Sequence, residues 1–134
     1  MGNRAVITFE VLDDAPCIYL HWNGGRASVQ GFLDAAKRLG MTPGDTRETQ
    51  TQFMDEFAAL LAKHFFDCEV GMTVYREKYG EADTDNWDNG TYVLWSDLAI
   101  ARRLHKRGPE EYDAEKQQAI SDQIYFAASP ASLV

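Results

Sequence analysis

The sequence predicts a single α+β domain over residues 1–134, with an antiparallel sheet of about four or five strands and about three helices in the order ββααβββα. Apolar and polar residues alternate in the first stretch and again after residue 90, as they do in strands. Between residues 28 and 66, two segments instead repeat apolar residues at helical spacing. No repeat or linker divides the chain, and 134 residues suffice for one core.

The first two strands are expected to form a hairpin. Residues 4–12 place Ala5, Ile7 and Phe9 on one face and Val6 and Thr8 on the other, which predicts a half-buried strand. Turn-forming residues follow at 13–16, and the β-rich run CIYLHW at 17–22 predicts the second strand.

The run NGGRAS at residues 23–28 predicts a reversal from the second strand into a helix. Asn23, Gly24 and Gly25 tolerate positive φ, and Ser28 stands where an N-cap belongs. Trp22 is expected to pack where strand and helix meet. Gly40 marks the end of the helix, whose apolar face comprises Val29, Phe32, Leu33 and Ala36.

A second helix is predicted after the polar connector around residues 43–44. Two start signals compete, because Thr49 with Gln52 and Asp45 with Glu48 both have capping-box spacing. The apolar face of this helix comprises Phe53, Phe57, Leu60, Leu61 and His64.

The second half of the chain is predicted to add three strands and a helix. Strands are expected at residues 70–75 and 91–95, with a hairpin turn at Asn89 and Gly90 between them. Residues 98–104 fit a strand or a helix, and turn chemistry at residues 96–97 favours the strand. The last helix is predicted to begin at Pro109 and to end at Pro130.

Composition restricts the possible partners. The formal net charge of −8 argues against a general nucleic-acid binder, because such proteins neutralise phosphates with Lys and Arg. It favours a basic protein surface as the partner. Cys17 and Cys68 have no metal or disulfide spacing, and no apolar run approaches the roughly 20 residues of a membrane span. We therefore expect a cytoplasmic protein without membrane contact.

Negative charge concentrates in the middle of the chain, where residues 67–95 carry seven acidic and two basic side chains. Clustered carboxylates can imitate the phosphates that a basic groove binds, with a tryptophan as an aromatic anchor. A solvated polar loop is the alternative, whereas a calcium loop is disfavoured because Trp87 and Ser96 would occupy ligand positions. The predicted partner-binding residues are Glu77, Glu81, Asp83, Asp85, Trp87 and Asp88.

A basic run at residues 102–107 precedes acidic residues at 110–115. Ion pairing between the two groups, within one chain or between copies, is the simplest interpretation, and a small anion site is the alternative.

The glycine run offers a second candidate site. Glycine N–H groups, a helix N-terminus and an arginine together can stabilise an anion, although a turn followed by a helix cap explains the same residues. The possible anion-binding residues are Gly24, Gly25, Arg26 and Ser28.

No enzyme signature appears in the chain. His21, His64 and His105 lack metal-ligand spacing, and no G-x-S-x-G elbow is present, so neither a metal nor a cofactor is predicted. His64 is expected in the core. A small hydrolase or transferase that uses His21 remains an alternative hypothesis.

The stretches MGNRAVIT, YLHWNGG and DNGTYVL resemble, in this order, a family of small uncharacterised proteins of phages and integrative mobile elements. The resemblance covers roughly the N-terminal two thirds of the chain and carries no catalytic residues. It implies a setting of conflict between phage and host.

The leading hypothesis is therefore an anti-CRISPR-like inhibitor in the host cytoplasm, acting as a monomer or homodimer. It would bind a host protein or ribonucleoprotein defence complex through its acidic surface and block nucleic-acid binding, without binding nucleic acid itself. The alternative is a nucleotide-binding protein that sequesters a signal through Arg26.

Overall fold

The computed structural model describes residues 3–110 and 112–129, and it confirms the α+β class and the order ββααβββα. A 3-10 turn, Tyr79–Glu81, follows the third strand. The strands are β1 (Ala5–Thr8), β2 (Pro16–Leu20), β3 (Val74–Lys78), β4 (Thr91–Leu94) and β5 (Ile100–Leu104), and the helices are α1 (Arg26–Arg38), α2 (Arg47–His64) and α3 (Ala114–Ala128).

The sheet has the strand order β3-β2-β1-β4-β5 and is mixed. Three neighbouring pairs are antiparallel, but β1 and β4 run parallel, so the expectation of a wholly antiparallel sheet is wrong for this pair. The predicted hairpin at Asn89 and Gly90 is also wrong. Two strands separate β3 from β4, and Asn89 and Gly90 end a connection between them, although Gly90 does adopt a positive φ of 65°.

This connection, residues 79–90, is named the crossover loop, and it covers the sheet face opposite the helices. Thr91 Oγ1 donates to the backbone carbonyl of Thr84 at 3.1 Å, which ties the loop to β4. Val6, Thr8 and Cys17 are each 0% exposed although they point away from the helical core. β1 is therefore buried on both faces, and the expectation of a half-buried strand was wrong because it assumed that this face meets solvent.

The helices pack on the other face of the sheet. Gly31 of α1 lies at the crossing with α3, where an added Cβ would be 2.8 Å from the Gln117 carbonyl oxygen. α1 ends as predicted, with Gly40 at a φ of 78°. The core joins α1 and α2 to the central strands through large side chains such as Phe32, Phe53 and Phe57.

Several predicted helix starts are wrong by a few residues. Gly25, not Ser28, is the N-cap of α1. The capping box of α2 pairs Thr46 with Thr49, which satisfies the N-terminal N–H groups in place of either predicted pair. The cap of α3 is Asp113, whose carboxylate accepts from the N–H of Lys116 at 3.1 Å. Pro109 therefore precedes the helix, and Pro130 lies outside the described residues.

Of the later strands, β3 differs from its predicted start and β5 lies where a strand was favoured. β3 begins at Val74, four residues after the predicted start, because Gly71 turns the chain with a φ of 101°. Residues 100–104 are a strand, as favoured, and Trp95 N–H donates to Ala99 O at 2.9 Å to close the turn before them. None of the helices in the described ranges is both long and apolar enough to cross a membrane.

Candidate functional site

Asn86 organises the acidic part of the crossover loop. Its side chain is 1% exposed, and its Nδ2 donates to the carbonyls of Asp83 and Gly90, each at 3.0 Å. Its Oδ1 accepts from the N–H groups of Asp88 at 3.2 Å and of Gly90 at 3.0 Å. An amide side chain can make four hydrogen bonds, so Asn86 is fully satisfied. The backbone of residues 83–90 is therefore held in one conformation.

Two of the predicted partner-binding carboxylates face Arg4 of the N-terminal segment. Asp88 accepts from Arg4 Nε at 2.8 Å and from the Arg4 backbone N–H at 3.1 Å, while Asp83 lies 4.0 Å from the same guanidinium. Burial would by itself raise the pKa of the Asp88 carboxyl, but the hydrogen bonds from Arg4 outweigh it and lower that pKa. Asp88 therefore ties the crossover loop to the start of β1.

Asp85 belongs to a second ion pair. Both of its carboxylate oxygens accept from Arg107 Nη2 at 2.8 Å, and His105 Nδ1 lies 4.0 Å away. The Arg107 guanidinium also covers one face of the Trp87 ring, 4.2 Å from its centroid. Asp85 thus holds the Arg107 guanidinium against one face of the Trp87 ring, an arrangement that we call the clamp. The basic run therefore pairs with the crossover loop as well as with the acids that follow it.

Trp87 combines exposure with backbone strain. Its side chain is 70% exposed, and its φ of 64° lies in the left-handed region that bulky residues rarely adopt. The clamp holds the ring of Trp87 from one side in a fixed orientation, and the other ring face remains open to a partner.

Three of the predicted residues remain together as an acidic cluster, which we define as Glu77, Glu81 and Asp83. Burial raises the pKa of the Glu77 carboxyl, and the nearby charges of Glu81 and Asp83 raise it further. Within the described ranges, Glu77 and Glu81 make no ion pair. The six residues predicted from sequence therefore divide into this cluster, the structural acids Asp85 and Asp88, and Trp87.

Only some residues of the run at 23–28 have the conformation or role that was predicted for them. Asn23 alone takes a positive φ, at 59°, whereas Gly24 is needed for close approach, since an added Cβ would lie 2.6 Å from Asn3 O. The Gly24 carbonyl accepts from Tyr92 Oη at 2.7 Å. Trp22 is 46% exposed, so the expectation that it packs at the junction is wrong.

Gly25, Arg26 and Ser28 nevertheless line one cleft of about 800 Å³. Across from the start of α1, the cleft is lined by the end of the basic run and by the first turn of α3. Arg26 donates to Glu110 at 3.4 Å, and Glu110 also accepts from Arg103. The contribution of α3 to this cleft was not predicted, because no local sequence signal indicates that α1 and α3 begin side by side.

His21, His64 and Cys17 lie outside these sites. His21 is exposed, its Nδ1 lies 3.1 Å from Tyr19 Oη, and its ring meets Trp22 edge-on. His64 is half-buried, less than its predicted core position requires. Burial raises the pKa of the Cys17 thiol to about 12, with a further contribution from Glu77, which keeps the thiol protonated. Across the residues described, no three His, Cys, Asp or Glu side chains are grouped to hold a metal ion.

The geometry thus offers three features for binding: the exposed Trp87, the acidic cluster, and the cleft at the N-termini of α1 and α3. Comparison of the chain with protein-family models, curated proteins and solved structures finds no match.

Proposed function

We propose that this protein is a binding protein that inhibits a partner with a basic surface, using Trp87 as its anchor and the acidic cluster as a second, charged contact. The observation that carries the proposal is the fixed and exposed Trp87. It is 70% exposed, has a left-handed φ, and is clamped by Arg107 and Asp85.

The strain at Trp87 supports a role beyond folding. A left-handed backbone costs about 1–2 kcal/mol for a residue with a Cβ. A folded chain gains little from exposing a large ring in such a conformation, and strain of this kind concentrates at functional sites. Tryptophan is also among the residues that contribute most to protein interfaces. Because Asn86 already orders the loop, binding would lose little further conformational entropy.

The acidic residues of β3 and of the crossover loop indicate the chemistry of the partner. Asp83, which belongs to the acidic cluster, lies on the same Asn86-organised loop as Trp87, and the whole chain has a net charge of −8. Such a surface attracts lysines and arginines and accelerates encounter with them. Asp85 and Asp88 contribute indirectly, since their arginine partners hold the loop.

A nucleic-acid-binding groove of a CRISPR effector in the host cytoplasm fits this chemistry, in line with the resemblance to phage and mobile-element proteins. Occupation of such a groove would exclude the target DNA. We therefore retain the anti-CRISPR-like function and assign the contact to Trp87 and the acidic cluster.

The test measures target-DNA binding by purified CRISPR effectors in the presence of the full chain. Trp87→Ala is expected to weaken inhibition roughly thirtyfold, which corresponds to the loss of about 2 kcal/mol at an interface hot spot. Trp95→Ala is the matched control, because Trp95 is 63% exposed on the turn between β4 and β5. Inhibition should persist in this control.

A charge-reversal pair tests the electrostatic part. Glu81→Lys should weaken inhibition and flatten its dependence on salt, whereas Glu56→Lys on α2 should change neither. The proposal fails if no effector is inhibited, or if Trp87→Ala and Glu81→Lys inhibit as strongly as the unmodified chain.

A further inference from the structure

The cleft beside α1 receives the N-termini of two parallel helices. Three contacts establish the direction: Arg26 lies over the ring of Tyr112, which precedes α3, while Asp34 accepts from Gln117 and Arg38 donates to Asp122 within the two helices. Positions therefore increase together on both helices. Both helix dipoles point their positive ends into the same cleft of about 800 Å³.

The two N-termini differ in how their N–H groups are satisfied. Asp113 caps α3 through the N–H of Lys116, but the N-cap of α1 is Gly25, which has no side chain. The first turn of α1 also contains no acidic residue. In the described part of the chain, no hydrogen bond satisfies the N–H groups of Arg26, Ala27 and Ser28. These groups are the donors with which helices bind anions.

Ser28 supplies an independent observation. Its side chain is 1% exposed and lines the cleft, yet its Oγ has no hydrogen-bond partner within the described ranges. The Gly24 carbonyl, four residues earlier, accepts instead from Tyr92 Oη at 2.7 Å. Buried hydroxyls in native proteins nearly always have a partner, so an unpaired one at a cleft indicates a ligand.

We propose that this cleft binds the phosphate group of a small molecule. The phosphate oxygens would accept from the first N–H groups of α1, from Ser28 Oγ and from the Arg26 guanidinium. Lys116, on the opposite wall, adds positive charge. Arg107 lines this cleft and also covers Trp87, but none of the proposed phosphate contacts involves Trp87, and the proposal goes beyond the inhibitory function.

Glu110 provides an internal competitor for such a ligand. Its carboxylate accepts from Arg26 at 3.4 Å and from Arg103, so it is the anion that these arginines meet within the protein. A bound phosphate would have to replace the Glu110 carboxylate as the hydrogen-bond acceptor of Arg26. Glu110 therefore sets the affinity of the site without contacting the ligand.

Calorimetric titration of the full chain with inorganic phosphate, AMP and adenosine tests the proposal. Both phosphate-bearing probes should bind, and adenosine should not. Equal affinity for phosphate and AMP would identify free phosphate as the ligand, whereas tighter binding of AMP would identify a nucleotide. Absence of binding by both phosphate probes at millimolar concentration, or binding of adenosine as tight as that of AMP, would overturn the proposal.

Three variants locate the site. Arg26→Gln and Ser28→Ala should each weaken binding roughly tenfold, while Glu110→Gln should strengthen it several-fold. Arg102→Gln is the control, because Arg102 is exposed on β5 and makes no ion pair among the described residues. Ser28→Ala should also unfold at the same or a higher temperature, since it removes an unpaired buried hydroxyl. Unchanged phosphate binding in both Arg26→Gln and Ser28→Ala would place any phosphate elsewhere and refute the assignment.

Discussion

Substitution of Gly90 by alanine tests the packing of the crossover loop against β5. Gly90 has a φ of 65°, and a Cβ at this position would lie 2.0 Å from the backbone oxygen of Leu104. Ordinary contact for a Cβ begins at 3.4 Å, so β5 or the loop would have to move by about 1.4 Å. Such a movement strains the hydrogen bonds that Gly90 makes with the Asn86 side chain and with the Val6 backbone N–H.

The magnitude follows from two contributions. A left-handed alanine costs about 1 kcal/mol, and forced repacking costs a further 1–3 kcal/mol, which together give about 3 kcal/mol. Gly40→Ala isolates the first contribution, because Gly40 has a φ of 78° and nothing lies within 4 Å of its Cβ position.

Urea unfolding at 25 °C measures both variants. With a slope of about 2 kcal/mol/M, the midpoint should fall by about 1.5 M for Gly90→Ala and by about 0.5 M for Gly40→Ala. Equal shifts for the two variants would refute the reasoning, because they would mean that no backbone atom of β5 lies against Gly90.

Three further outcomes are expected. Arg4→Gln should destabilise the protein at pH 7, and its difference in unfolding free energy from the unmodified chain should shrink below about pH 4. The reason is that the contact of Arg4 with Asp88, which lowers the pKa of Asp88, stabilises the fold only while that carboxylate is ionised. Urea unfolding at pH 7 and pH 3 checks this, and a constant difference would contradict it. Cys17 should resist thiol reagents in the native protein while the half-buried Cys68 reacts, so mass spectrometry should find one label before unfolding and two after it. Gly31→Val should loosen α3 from α1, seen as faster amide exchange in α3, whereas exchange rates like those of the unmodified chain would argue against the close helix crossing.

Local signals were sufficient where a residue's own conformation decides the structure. Gly40 ends α1 and Gly90 has a positive φ, as their sequence contexts predict, because a glycine favours such a backbone without help from neighbours. The strand partners of residues 70–95 were not predictable in this way. Asn89 and Gly90 have the composition of a hairpin turn, but the strand order places β1 and β2 between β3 and β4.

The candidate site shows the same limit. Sequence reasoning placed Trp87 on a surface and Arg26 with Ser28 at one anion site, and the structure puts both of the latter at the cleft. The structural role of Asp85 and Asp88 could not be read from local composition. Their arginine partners are 22 and 84 residues away, and only the fold brings them together. The four hydrogen bonds of Asn86 likewise depend on where the loop crosses the sheet.

The position of β1 affects how the chain can fold during synthesis. β1 precedes the other four strands in the chain but occupies the centre of the sheet. The Arg4–Asp88 contact beside its parallel neighbour spans 84 positions. A nascent chain can pair β1 with β2 soon after both leave the ribosome, yet the other edge of β1 stays open until β4 emerges. Such long-range parallel pairing is slow to form and exposes strand edges in the meantime. We therefore expect chains that stop before residue 91 to be digested by proteases, and the full chain, released from the ribosome, to resist them.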